Sequence, residues 1–122
     1  MVLGEVSLET NDVIGLAKFY RKILNILMEE NYGESANAIH QFIITRGTAL
    51  TVYNNGKIKN NLNENISLAF TVEDVDEEYE RLRGLGIAII DPPAIQPWGA
   101  KNMHFRDPDG NHIYFRSFPK ER

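Results

Sequence analysis

The sequence predicts an α+β fold built from two copies of a βαβββ module. Three observations predict it. An alternating strand followed by a helix that starts at an aspartate occurs twice, at Asp12 and at Asp74, about 62 residues apart. Gly47 and Gly110 each precede an alternating strand at a similar offset within the two halves. The chain has 122 residues, 43% of them hydrophobic and 25% charged, an ordinary globular composition at a length that suits one domain over residues 1–122. Identities between the halves barely match, so the repeat is one of architecture.

The elements follow in order. In "LGEVSLET", Val6 and Leu8 point one way and Glu5, Ser7 and Glu9 the other, the pattern of a half-buried strand. Asn11 or Asp12 then caps a helix whose apolar stripe is Leu16, Tyr20, Ile23 and Leu24. Gly15 weakens that helix by about 1 kcal/mol relative to alanine. The chain is expected to leave the helix near Asn25 and to enter a strand within "ILNILMEENY". "NAIHQFIITRG" and "TALTVYNNG" read as two more strands, with Gly47 as the turn. The asparagine-rich "NNGKIKNNLNEN" is a polar loop joining modules of about residues 1–56 and 64–118.

The second half repeats the pattern. "ISLAFTV" alternates, Asp74 caps a helix with Glu77 completing a capping box, and Val75, Tyr79 and Leu82 form its stripe. Gly84 and Gly86 end it. "IAIIDPP" reads as a strand stopped by its prolines, and "IQPWGAK" as a loop carrying the single tryptophan, Trp98. "FRDPDGNHIYF" is a hairpin: Pro108 fixes φ, Gly110 supplies a positive φ, and the aspartates bond local backbone.

Several function classes lose ground on composition. Net charge is −4 and basic residues do not cluster, which argues against a nucleic-acid partner. The absence of cysteine excludes disulfides, thiolate metal sites and cysteine nucleophiles. The longest aliphatic run, "IAII", is far short of the ~20 residues that span a bilayer, and the N-terminus has no signal-peptide pattern. The expectation is a cytoplasmic protein with no membrane partner. There is no G-x-S-x-G and no P-loop. His40, His104 and His112 lack metal-binding spacing. With "DPDG" as a four-residue turn, His104 and His112 are expected on opposite sides of the hairpin, unless a bulge intervenes.

Polar side chains remain on strand faces opposite the apolar ones: Glu5, Ser7, Ser67 and Tyr114. Arg116 shares the face of Tyr114 and can bind an anion bidentately or pair with a nearby acid. Trp98 can cap the core or wall a pocket. Glu5 can act as a general base if burial tunes it.

Three stretches give the chain a resemblance to the vicinal oxygen chelate superfamily, which holds glyoxalases, bleomycin resistance proteins and dioxygenases: "VSLETNDVIGLAKFYRKIL", "LAFTVEDVDEEYERLRGLGI" and "FRDPDGNHIYF". The resemblance covers nearly the whole chain. It implies that the modules form a cupped mixed sheet with the helices outside. In metal-dependent members four ligands point into the cup, one from the first and one from the last strand of each module. Carried over, those positions are Glu5, Thr51 (with Leu50 the alternative), Ser67 and Tyr114.

Only Glu5 of these is a good donor, and a catalytic divalent ion needs about three. The cup is therefore expected to hold no metal and no cofactor. The function expected is that of a glyoxalase/bleomycin resistance-like protein binding a small organic molecule, with Tyr53, Trp98 and Tyr114 as ring contacts alongside the polar faces. Two alternatives stay open. One is a metal-dependent lyase, isomerase or dioxygenase using Glu5 and non-standard ligands. The other is an interaction module whose cup is filled by its own side chains. A homodimer is expected, since relatives pair and open sheet edges need cover.

Overall fold

The computed structural model describes residues 1–26, 38–59 and 65–119. The chain divides into two compact units, Met1–Asn61 and Leu62–Arg122. The first contains β1 (Glu5–Glu9), α1 (Val13–Ile23), β2 (His40–Ile44) and β3 (Ala49–Tyr53). The second contains β4 (Ser67–Thr71), α2 (Val75–Gly84), β5 (Ile89–Ile95), β6 (Lys101–Arg106) and β7 (His112–Ser117). Sheets of mixed strands with two helices make the α+β arrangement expected of the sequence. The strand anticipated after Asn25 lies outside the described residues.

In the first unit the strand order is β1-β3-β2, with β1 parallel and β2 antiparallel to β3. The register pairs Ser7 with Thr51 and Thr51 with Phe42. Strand alternation then puts Glu5, Ser7, Thr51 and Tyr53 on one face, and Val6, Leu8, Leu50 and Val52 on the other. Helix α1 packs on the latter face through buried Val13, Leu16, Ala17, Tyr20 and Ile23. Arg21, nearly buried, ties helix to sheet by donating to Gln41 Oε1 at 2.7 Å and to the Phe42 carbonyl at 3.2 Å. Asp12 is the N-cap, its carboxylate accepting from Gly15 N at 2.9 Å. A Cβ at Gly15 would lie 2.1 Å from Asp12 Oδ2. Alanine there gains about 1 kcal/mol of helix propensity but displaces a cap of about the same value, so the two effects offset and the cap explains why glycine is tolerated.

In the second unit the order is β4-β7-β6-β5, with β4 parallel to β7 and the others antiparallel. Its core is fully buried Val75 and Leu82 from α2 against Met103, Phe105, Ile113 and Phe115 from β6 and β7. Asp74 caps α2 by accepting from the N–H groups of Asp76 and Glu77, the forward half of the expected box. Gly86, at φ 81°, closes the helix in the left-handed conformation. Strand β5 does not stop at its prolines. It runs through Pro92 and Pro93 to Ile95, with register shifts between Ile89 and Asp91 and between Asp91 and Ala94. Proline removes a donor, which an edge strand with bulges tolerates, and β5 is at an edge of its sheet.

The loop between β6 and β7 is Asp107–Asn111, five residues and not four. Asp107 organises it. Its N–H donates to the Asn111 carbonyl at 3.0 Å, and its Oδ1 accepts from the N–H of Asp109 and of Asn111, both at 2.9 Å. Its Oδ2 accepts from Asn111 Nδ2 at 2.7 Å, and Gly110 takes φ 87°. Both Asp107 and Asn111 are buried. We expect Asp107→Ala to destabilise the protein by roughly 3 kcal/mol, because it strands several donors of a buried loop. Removing the exposed Glu80–Arg83 pair, 3.6 Å apart, is expected to change stability by less than ~0.5 kcal/mol. Urea unfolding of the two variants checks the contrast.

Candidate functional site

Residue parity in the second unit places a polar wall on the sheet face opposite α2. The register forms three rows across the strands. The first is Ser67, His112 and Arg106. The second is Ala69, Tyr114, His104 and Asp91. The third is Thr71, Arg116, Asn102 and Ala94. A cavity of about 700 Å³ lies against this wall, within the range of small-molecule sites. Ser67, Trp98, Tyr114 and Arg116, four residues singled out in the sequence, all line it. Trp98 reaches it from the loop before β6 and is 66% exposed.

His104 and His112 correct the expectation that they face apart. The odd-length Asp107–Asn111 loop puts both on the cavity side of the hairpin. His104 Nε2 and His112 Nδ1 are 2.8 Å apart, with ring centres at 5.0 Å and planes 29° from parallel, an edge-to-edge hydrogen bond. His104 Nδ1 lies 3.0 Å from Asp91 Oδ2, and His112 Nε2 lies 3.4 Å from an Arg106 guanidinium nitrogen. One assignment satisfies each ring nitrogen with both rings neutral. Arg106 donates to His112 Nε2, His112 Nδ1–H donates to His104 Nε2, and His104 Nδ1–H donates to Asp91. The face of His104 stacks on Tyr114 at 4.6 Å with planes 9° apart. Sequence reasoning missed His104, Asp91 and Asn102 as wall residues. The length of the hairpin loop was the signal that could have found the first.

Of the two readings open for Arg116, pairing with an acid is not the one its surroundings offer. No acid pairs with it among the described residues. Its Nε donates to Thr71 Oγ1 at 3.1 Å, and its guanidinium carbon lies 5.2 Å from the centre of the Phe118 ring. The hydroxyl and the ring hold the guanidinium in place.

The other four singled-out residues belong to the first unit and share one face of its sheet. Thr51 is buried and its hydroxyl donates to Glu5 Oε1 at 2.9 Å, while Leu50 faces α1. Ser7 pairs with Thr51 across the strands, and Tyr53 meets the His40 ring edge-on at 5.4 Å.

A divalent metal does not fit these donors. Of the carried-over positions, the first unit supplies one carboxylate, already accepting a hydroxyl, and the second a serine and a tyrosine. No group of three His, Asp or Glu side chains among the described residues is placed to bind an ion. The two cavity-side histidines turn nitrogens toward each other. Hydroxyls and one carboxylate do not hold a catalytic ion.

The relay generates a prediction. Asp91 is 71% exposed at its side chain, so Asp91→Asn is expected to change stability by less than ~1 kcal/mol. His112→Ala removes the partner of a nearly buried ring nitrogen and is expected to cost about 1–2 kcal/mol. Thermal unfolding of both variants at neutral pH checks the order.

Comparison with known proteins agrees with the architecture. The curated relative YraH of Bacillus subtilis, itself uncharacterized, is 28% identical over an alignment 122 positions long that covers 93% of this chain and 95% of that one. A glyoxalase/bleomycin resistance protein/dioxygenase from Nocardioides superposes with a TM-score of 0.76 at 20% identity, covering 100% of this chain and 86% of the other. A glyoxalase/dioxygenase from Nostoc punctiforme gives 0.74 at 21% identity, covering 97% and 91%. At such identities the structures speak for the fold alone. The family model that matches spans residues 2–115, nearly the whole chain, and by that match the protein belongs to the Glyoxalase/Bleomycin resistance protein/Dioxygenase superfamily.

Proposed function

We propose that this protein binds a small organic molecule in the cavity of its second unit and does so without a catalytic metal. The observation that carries the reading is the make-up of one wall. Trp98 and Tyr114 offer rings, Ala69 and Pro92 offer apolar contact, and Ser67, Asn102 and Arg116 offer hydrogen-bonding groups around the same space. Ring faces and scattered donors are what hold an organic ligand, and they are poor at holding a cation. The reading includes a cytoplasmic homodimer, in which a second copy covers open sheet edges.

The superfamily fold hosts several chemistries, so membership alone does not choose among them. The donor set weighs against the metal-dependent lyase, isomerase or dioxygenase alternative, and the open cavity weighs against a cup filled by its own side chains.

Trp98 is the single tryptophan, so fluorescence excited selectively at tryptophan reports on the proposed site. We expect a panel of naphthalene, indole and quinoline compounds to include binders with dissociation constants below about 1 mM. At a hundred times its dissociation constant, a binder is expected to raise stability by about 2.7 kcal/mol, with or without EDTA. Stoichiometric metal surviving dialysis, or binding abolished by EDTA, would contradict the reading.

A further inference from the structure

We infer that the ligand of this cavity is an organic anion: a planar ring bearing a carboxylate that Arg116 and Asn102 hold. The inference rests on the binding reading above and narrows it to a ligand class.

Arg116 and Asn102 are direct neighbours across β7 and β6 in the third row of the wall, and both line the cavity. The guanidinium is positioned without being neutralised. Its Nε is engaged by Thr71 Oγ1 and its plane by Phe118, which leaves the terminal nitrogens for a partner. That is the edge an arginine turns to a carboxylate in a bidentate pair. The side-chain Oδ1 of Asn102 is covered and has no hydrogen-bond partner, so the end of the amide turned to the cavity is Nδ2, a second donor beside the guanidinium. A held cation next to an unused amide donor is an arrangement for a negative group, and holding it in advance lowers the ordering penalty of binding.

The rest of the wall fits the ring. Tyr114 stands next to Arg116 on β7 one row away, roughly 7 Å along the strand, about the span from a carboxylate to a fused-ring body. Trp98 lies on the same cavity. The nearest competing charge on the wall is Asp91. It sits two strands over and one row back, so its Cα is roughly 12 Å from that of Arg116. Its Oδ2 is already engaged by His104 Nδ1. The wall's other arginine, Arg106, lies two rows away and is turned to His112, and the chain as a whole carries −4, so attraction for an anion here is local to Arg116. Replacing that one residue should therefore remove it.

Isothermal titration with naphthoate and with naphthamide of the same substitution pattern tests this, since the two share ring and size and differ in charge. Wild type is expected to bind the acid at least about tenfold more tightly than the amide. Arg116→Gln is expected to bring the ratio to about one, because it weakens binding of the acid far more than binding of the amide. Asn102→Ala is the second variant and is expected to lower the ratio by about threefold. Lys101→Gln serves as control. Lys101 is bonded to Asp76 on the α2 side of the sheet, and its loss should leave the ratio as it is. An amide that binds wild type as tightly as the acid would overturn the anion assignment and leave the binding reading standing. So would a ratio that survives Arg116→Gln. Failure of both compounds to bind wild type at about 1 mM would overturn the assignment together with the reading beneath it.

Discussion

Strand parity in the β6–β7 hairpin is the constraint on which the rest of the site depends. Side chains alternate between faces, so a slip of one residue would move the whole set to the opposite side. Asp107 prevents the slip. Its buried carboxylate gathers the N–H groups of Asp109 and Asn111 and the amide of Asn111, and Gly110 supplies the positive φ that the loop needs. With that loop fixed, Met103, Phe105, Ile113 and Phe115 face α2 and are buried. His104, His112, Tyr114 and Arg116 must then share the other face. Core and cavity wall are two readings of one register.

The wall so formed suits organic ligands better than ions. A cation needs several donors converging on a point. Here the donors are spread over three rows, and the two that could converge, His104 and His112, bond each other. Asp91 at one end and Arg106 at the other give that pair a direction, which fixes His104 against Tyr114. The ring surface offered to the cavity is thereby rigid. Arg116 is positioned by a hydroxyl and a ring. Rigid rings beside a positioned cation bind with less loss of side-chain freedom than the same groups moving freely.

Much of the fold was legible in the sequence because it rests on local rules. Asp12 and Asp74 are N-caps, Gly86 ends a helix, and the alternation of "SLAFT" and "HIYFR" gives the buried faces. What was illegible depended on counting across a turn or on position within a sheet. "DPDG" suggests a four-residue turn, but the Asn111 pairing with Asp107 makes the loop five, and that single residue decides where His112 points. Pro92 and Pro93 suggest a strand end, yet at a sheet edge they are tolerated within β5, which delivers Asp91 to His104. The environment of Arg116 was equally out of reach, because whether an acid lies nearby depends on neighbours brought in by β4 and by the chain after β7. At the candidate site, Ser67, Trp98, Tyr114 and Arg116 were readable as exposed polar or aromatic positions, while Asn102 carried no signal beyond its type.

The hydrogen bond between the two histidines can be measured directly. In protein labelled with nitrogen-15 at histidine, the account predicts a scalar coupling between His104 Nε2 and His112 Nδ1, with the shared proton on His112. Two uncoupled rings, each exchanging its protons with water independently, would contradict it.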